Sequence, residues 1–330
     1  MVNRVVERLR LYLFVSLLFW VPELSAFDLR HEPISPLPAA PTLPSQKAEL
    51  GESLFHDVRL SQDNSISCAS CHNLAKGGTD NQSVSHGVNG ALGSANAPTV
   101  YNSALNFMQF WDGRALNLRE QANGPVHNPV EMNSNWPEII QKLSQDRPLI
   151  ESFARLYPDG LTADNIRDAI ATFEASLLTG YSPFDRWLKG DAQALSKQQL
   201  QGYRLFKSYG CISCHQGANV GGNMFAYLGT VNNVQSYFQQ RGTPININTP
   251  DYGRYNVTGE LEDKYLFKVP SLRLAVKTAP YFHDGSVSTL QEAIRLMARY
   301  QLGREIPDNH TEAIIIFLNS LVGEHPRLTP

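Results

Sequence analysis

Two short cysteine motifs are the residues of this chain best suited to hold a redox cofactor. Each has two cysteines separated by two residues and followed directly by a histidine: Cys68, Cys71 and His72, then Cys211, Cys214 and His215. In a CxxCH motif the thiols can add to the vinyl groups of a haem, and the histidine can bind the iron from one side. The spacing therefore predicts two covalently bound c-type haems.

The cysteine pairs have other interpretations, and the histidines decide between them. A CxxC pair can form a redox disulfide or half of a zinc site, and four cysteines in an exported protein can form two disulfides. Zinc binding leaves the histidine after each pair unexplained, and a disulfide does not need that histidine twice. The two motifs also use all four cysteines of the chain. Haem attachment accounts for every one of these residues.

The segments around the two motifs are similar, which predicts one structural unit used twice. A Gly-x-x-Leu-Phe segment precedes each motif, at residues 51–55 and 202–206, and a glycine pair follows each, at 77–78 and 221–222. Apolar residues at helical spacing predict helices at 48–55, 289–300 and 311–321, and a further helix that Thr162 caps. Sustained strand-like alternation is scarce, so we predict a mainly α fold.

The chain of 330 residues is long enough for two domains. Residues 1–26 predict a cleavable signal peptide, with arginines before an apolar run from Leu11 to Val21; the alternative is an uncleaved membrane anchor. A proline-rich arm at 27–47 cannot form a helix or central strand, and we expect it to lead into the first domain or pack along it. The domains are predicted at 48–184 and 185–330.

The charge balance narrows the range of partners. The formal net charge is −3, so the chain lacks the basic surface that nucleic-acid binding requires.

The sixth coordination position of each haem iron decides between electron transfer and catalysis. A methionine or second histidine there makes an electron carrier, whereas an open position lets the iron bind a substrate.

Several longer motifs resemble the bacterial dihaem cytochrome c peroxidases, the family that also contains the MauG-type maturation enzymes. They occur in the family's order from about residue 47 to the C-terminus: NAPTVYN at 96–102, FWDGRA at 110–115, SPFD at 182–185, PYFHDG at 280–285 and QLG at 301–303. The resemblance implies two cytochrome c-like domains, each with one covalent haem, whose sites face a shared interface.

The resemblance also implies that the two haems differ. The haem on His72 corresponds to the peroxidatic, low-potential haem, and the haem on His215 to the high-potential, electron-accepting one. Met297 stands where the family has the axial methionine of the second haem, and a thioether ligand raises a haem potential. MauG-type enzymes have a tyrosine there, so Met297 favours the peroxidase branch, although Tyr300 lies close by in the sequence.

Three further residues correspond to the family's catalytic machinery. Glu131 matches the carboxylate that moves a proton between the two oxygens of peroxide, a task suited to a carboxyl beside an open haem face. Gln121 matches a companion that hydrogen-bonds the bound peroxide. Trp111 matches the tryptophan between the two haems. Outside this resemblance, Glu131 and Gln121 would be read as surface residues and Trp111 as a core residue.

The resemblance further implies a calcium ion at the domain interface, held by Asn96, Thr278 and Pro280 through one side-chain carbonyl, two backbone carbonyls and waters. His283 in the PYFHDG motif is expected to support the surroundings of the second haem without binding its iron.

The chain departs from the family at one position. Many members cap the resting peroxidatic haem with a distal histidine, and the corresponding residue here is Val88. His86, two residues earlier in a glycine-flanked loop, either reaches the iron or is an exposed loop residue. We expect the second arrangement, because valine cannot bind iron, and therefore an enzyme that is active without prior reduction.

Together these features predict a periplasmic dihaem peroxidase that reduces hydrogen peroxide with electrons from a small cytochrome c or a cupredoxin. A homodimer is among the states that the resemblance allows. Two alternatives remain: a MauG-like oxidase that modifies a partner protein, and a dihaem cytochrome that only transfers electrons.

Overall fold

The structure is a computed structural model that describes residues 31–240 and 249–328. The described chain is mainly helical, as predicted. Its α-helices are α1 Ser45–Phe55, α2 Cys68–Cys71, α3 Leu118–Gln121, α4 Asn123–His127, α5 Trp136–Leu143, α6 Arg147–Leu156, α7 Ala163–Ala175, α8 Pro183–Leu188, α9 Lys197–Tyr209, α10 Gln235–Gln240, α11 Tyr255–Thr258, α12 Leu290–Leu302 and α13 Asp308–Asn319. Two short antiparallel strands, β1 Phe225–Tyr227 and β2 Leu266–Lys268, form a small sheet.

The predicted helices are present, and local signals explain where several of them begin. The side chain of Thr162 accepts a hydrogen bond from the amide of Asn165 at 3.2 Å, so Thr162 caps α7 as expected. Thr289 caps α12 in the same way through the amide of Glu292. The second Gly-x-x-Leu-Phe segment lies in α9, Lys197–Tyr209, which begins at a capping box formed by Ser196 and Gln199.

Two hydrophobic cores organise these helices. The first contains buried residues of α1, α5, α6 and α7 together with Leu274, and the second contains residues of α8, α9 and α13 together with Ala298. Leu274 joins the first core from a segment far along the chain, so that core is not built from one continuous stretch. The domain boundary at 184/185 stays a prediction.

The same helix crossing occurs in both cores. A Cβ atom placed on Gly51 of α1 would lie 1.9 Å from the carbonyl oxygen of Ala169 in α7. A Cβ atom on Gly202 of α9 would lie 1.9 Å from the carbonyl oxygen of Ala313 in α13. Both glycines let two helix backbones touch, which gives a physical reason for the repeated Gly-x-x-Leu-Phe segment.

The described part of the proline-rich arm packs against the second core and then leads into α1, a helix of the first core. It therefore leads into the first unit, which is one of the two arrangements we expected, but its packing partner is the second core. Ile34 is fully buried in the second core. Glu32 accepts hydrogen bonds from Tyr203 and Lys207, both at 2.8 Å. The prolines set the extended shape of the arm, whereas its position depends on these distant partners before it enters α1.

A buried ion pair fastens the arm to the second core. The guanidinium of Arg273 binds the carboxylate of Asp185 through two hydrogen bonds of 2.9 and 3.0 Å, and both side chains are almost fully buried. Asp185 also accepts from the amide of Leu37 in the arm, at 3.2 Å. This bidentate geometry compensates the desolvation of both charges.

The signal-peptide prediction for residues 1–26 lies outside the described residues. Within residues 31–240 and 249–328, no helix combines the length and the apolar character that a membrane span requires.

Candidate active site

Each CxxCH motif lines a cavity. The first cavity has a volume of about 730 Å³, and its walls include Cys68, Cys71, His72, Gln121 and Glu131. The residues that sequence analysis assigned to peroxide chemistry therefore lie around one space, together with the first motif. The local turn is tight, because the amide of His72 donates to the carbonyl of Cys68 at 2.9 Å.

The second cavity is smaller, about 260 Å³, and its walls include Cys211, Cys214, His215 and Met297. Met297 lies on α12, far along the chain from the second motif, but its side chain lines the same cavity. The structure thus brings the predicted methionine to the second motif. Tyr300 of the same helix does not line this cavity; it is buried, with its ring 5.9 Å from that of Tyr237.

The two motif histidines are held in the same way. Nδ1 of His72 is 3.2 Å from the carbonyl oxygen of Gly78, and Nδ1 of His215 is 3.3 Å from that of Val220. A proton on Nδ1 leaves Nε2 of each ring free to bind a metal. Burial lowers the pKa of His72, and it lowers the pKa of His215 to about 4. Neutral imidazole, the form that binds metals, is therefore favoured.

The cysteines also fit a covalently held haem. All four are free thiols in the structure, and each pair lines a cavity with its histidine. Burial raises the pKa of Cys68, and it raises the pKa of Cys211 to about 11, so these thiols are protonated at neutral pH. Two thiols and one neutral imidazole facing one cavity are the donor set that c-type attachment needs.

Glu131 lines the first cavity as a partly buried carboxyl. Burial raises its pKa, while a hydrogen bond of 2.5 Å from Nδ2 of Asn128 to Oε1 opposes this shift. The backbone carbonyl of Glu131 accepts from the amide of Val88 at 2.8 Å, which fixes the segment against the loop at 85–93. A carboxyl with a raised pKa, held in a cavity, can both accept a proton and return it.

The loop beside Glu131 separates the two candidate distal positions. Val88 is buried, with 2 % of its surface exposed, whereas His86 is exposed. Neither residue lines the first cavity as the structure describes it. Gly87 between them cannot carry a side chain, because its Cβ atom would lie 2.2 Å from the carbonyl oxygen of Val130. The state of the iron in the resting protein stays a prediction.

Both cavities share one wall. Trp111, Phe267 and His283 line both spaces. Nε1 of Trp111 donates to the carbonyl oxygen of Asn96 at 2.9 Å, and the amide of Asn96 donates to the carbonyl of His283 at 2.8 Å. The ring of Phe267 stacks on that of His283 at 4.6 Å. Trp111 is therefore fixed in the wall that the two cavities share.

The residues of the predicted calcium site line one of these two cavities. Asn96, Thr278 and Pro280 all line the second cavity. Nδ2 of Asn96 donates to the carbonyl oxygen of Gln82 at 2.8 Å, which leaves the side-chain oxygen as the free ligand atom. The fit to a calcium ion therefore rests on Oδ1 of Asn96 and two backbone carbonyls.

Sequence reasoning missed three features of the site. Nε2 of His283 is 2.7 Å from Oδ1 of Asp251, and these two residues with Asp284 bring potential ligand atoms within 4.8 Å of one another. Glu174 of α7 and Lys268 of β2 are buried in the walls of the first and second cavities, respectively. Charged residues in helices and strands are normally expected to be exposed. The only sequence signal for burial was the position of Glu174, four residues after the buried Ile170 on the same face of α7.

The fold and the two cavities define a helical protein with two CxxCH sites that share an aromatic wall. A family model described as "Di-haem cytochrome c peroxidase" matches residues 45–193. The chain is 45% identical to a cytochrome c551 peroxidase of Nitrosomonas europaea over 298 residues, which cover 90% of this chain and 86% of that protein. The chain belongs to the di-haem cytochrome c peroxidase family, which confirms the resemblance seen in its motifs.

Other similar proteins are named as peroxidases or as MauG-type proteins. The chain is 50% identical to the cytochrome c peroxidase Ccp of Escherichia coli over 91% of its own length, but it spans only 63% of that relative. Identity to a MauG protein of Methylophilus methylotrophus is lower, 30% over 82% of this chain and 77% of that one. The crystal structure of a MauG-like protein associated with microbial copper homeostasis superposes with a TM-score of 0.75 at 26% identity, covering 92% of this chain and 99% of that one.

Proposed function

We propose that this protein is a dihaem cytochrome c peroxidase, which reduces hydrogen peroxide to water. One observation carries the proposal: Glu131 and Gln121 line the cavity of the first CxxCH motif, whereas Met297 lines the cavity of the second. The first site thus has room and polar side chains for a small substrate, and the second has a side chain suited to the sixth coordination position of a haem iron. Relatives that are 40–50% identical are named cytochrome c peroxidases.

In this proposal each haem is attached covalently through its cysteine pair. His72 would hold the first iron, and His215 and Met297 would hold the second. The haem iron supplies the redox chemistry when it is bound, and the protein supplies protons, positions and a dry environment. Asn96, Thr278 and Pro280 would hold a calcium ion near the shared wall.

The side chains of the first cavity handle peroxide and its proton. Gln121 can hydrogen-bond the substrate and orient it. Glu131 takes the proton from one oxygen of peroxide and returns it to the departing oxygen, a transfer that its raised pKa supports. The hydrogen bond from Asn128 holds its Oε1 atom in place. Trp111, fixed in the shared wall, gives electrons a path between the cavities.

The electrons come from a small cytochrome c or a cupredoxin in the periplasm, which the protein reaches through its signal peptide. The MauG-like alternative is less well supported, because Met297 and not Tyr300 lines the second cavity. Electron transfer alone would leave Glu131 and Gln121 without a task in the first cavity.

Replacing Glu131 tests the proposal. We expect Glu131→Gln to lower peroxide turnover with reduced cytochrome c by roughly 10²–10⁴-fold, the usual contribution of a general acid–base group. The absorption spectrum should remain unchanged, because the cysteines and histidines are untouched. Glu49→Gln, at an exposed position of α1, is the matched control and should keep wild-type turnover. Wild-type turnover in Glu131→Gln would refute the catalytic assignment.

A further inference from the structure

Lys268 is a buried cation at the end of β2. Only 6% of its surface is exposed, and its backbone amide donates to the carbonyl of Trp111 at 2.8 Å. Among residues 31–240 and 249–328, the ammonium group makes no hydrogen bond or ion pair with another protein atom. Such a group normally stays buried only when an opposite charge compensates it.

The surroundings of Lys268 explain why a partner is needed. Burial alone lowers the pKa of Lys268 to about 8, and no protein carboxylate contributes to this shift. The group therefore still carries most of its charge at neutral pH, inside a protein wall that offers no counter-charge. Lys268 lines the second cavity with Cys211, His215 and Met297, so the compensating group has to come from the occupant of that cavity.

The first cavity differs in its charges. The cation in its wall, Arg114, is exposed and already paired with Asp112 at 2.9 Å. The wall also includes two carboxyls, the partly buried Glu131 and the buried Glu174, and burial raises the pKa of both. A buried positive charge stabilises the reduced state of a nearby redox centre, because reduction adds an electron. A carboxyl does not stabilise the reduced state in this way, because it carries no positive charge. The positive charge of Lys268 therefore acts in the same direction as a methionine ligand, because both raise the reduction potential of the second haem.

We propose that Lys268 is a binding residue of the second cavity, where its ammonium pairs with a propionate carboxylate of the haem and raises that haem's reduction potential. The inference rests on the proposed function only in requiring a haem in this cavity. It adds a second determinant of the high potential to the axial methionine.

A potentiometric titration of the fully loaded protein, followed by its absorption spectrum, tests the inference. We expect Lys268→Met to shift the midpoint potential of the second haem downward and to leave that of the first haem in place, because only the second cavity loses a positive charge. Lys268→Arg keeps the charge and should hold the wild-type potential. Lys268→Gln replaces the methionine variant if that variant does not take up haem.

The controls separate this inference from the function itself. Lys189→Met removes an exposed lysine at the end of α8 and should leave both potentials unchanged. The inference would be overturned if the midpoint potential of the second haem were unchanged in Lys268→Met, or if Lys268→Met and Lys268→Arg lowered it equally. Peroxide turnover tests the proposed function separately. A haem count of one per chain would instead contradict the proposed function.

Discussion

At the scale of single residues, the two cavities differ most in their buried charged groups. Glu174 is the extreme case. Its side chain is buried in the wall of the first cavity, its Oε2 atom has no hydrogen-bond partner among the described residues, and burial raises its pKa to about 8. The carboxyl is therefore protonated at neutral pH, since ionisation in this environment would cost several kcal/mol.

The raised pKa of Glu174 makes stability depend on pH. The folded state keeps a proton that the unfolded state loses above about pH 4.5, so wild-type stability should fall as pH rises from about 4.5 to 8. Glu174→Gln removes this term and should be more stable than wild type at pH 8.5, by on the order of 4 kcal/mol, with little difference at pH 4.5.

Thermal unfolding of the haem-loaded protein at the two pH values measures this difference. Glu49→Gln, on the exposed face of α1, should show no such pH-dependent gain. A constant stability difference between Glu174→Gln and wild type across this range would show that Glu174 ionises normally.

His86 carries a second prediction at this scale. Because its imidazole is exposed and does not line the first cavity, His86→Ala should leave the spectrum of the oxidised protein unchanged. His56→Ala, another exposed histidine, provides the baseline. Loss of a low-spin, six-coordinate signal in His86→Ala alone would show that the loop brings His86 to the iron.

At the scale of elements, the helix crossings that support each motif depend on one glycine. We expect Gly51→Ala and Gly202→Ala each to destabilise the protein by about 1–3 kcal/mol, because the added methyl group would meet a backbone carbonyl of the facing helix. Gly180→Ala is the control, since its Cβ atom would meet nothing within 4 Å. Thermal unfolding of the three variants measures the effect, and equal midpoints in all three would contradict it.

The elements themselves could be predicted more fully than their contacts. Periodicity and caps located α1, α7, α12 and α13, because those signals are local. The burial of Glu174 and Lys268 could not be predicted, because it depends on which surfaces meet in three dimensions. The arm shows the same limit: its prolines exclude a helix, but the packing of Ile34 in the second core depends on residues far along the chain.

At the scale of the whole molecule, the two CxxCH units repeat one plan and then diverge. Each has a helix pair joined at a glycine and a histidine held by a backbone carbonyl. They differ in what faces the histidine's cavity: Glu131 and Gln121 in the first, Met297 in the second. We propose that this inequality makes one site reactive toward peroxide and the other an electron store.

Electron paramagnetic resonance of the oxidised and half-reduced protein tests that claim most directly, because it reports the coordination of both irons. We predict a high-spin signal from the first site and a low-spin signal from the second, with the low-spin signal disappearing on addition of the first electron. Two low-spin signals that decrease in parallel on reduction, in a protein unreactive toward peroxide, would contradict the account.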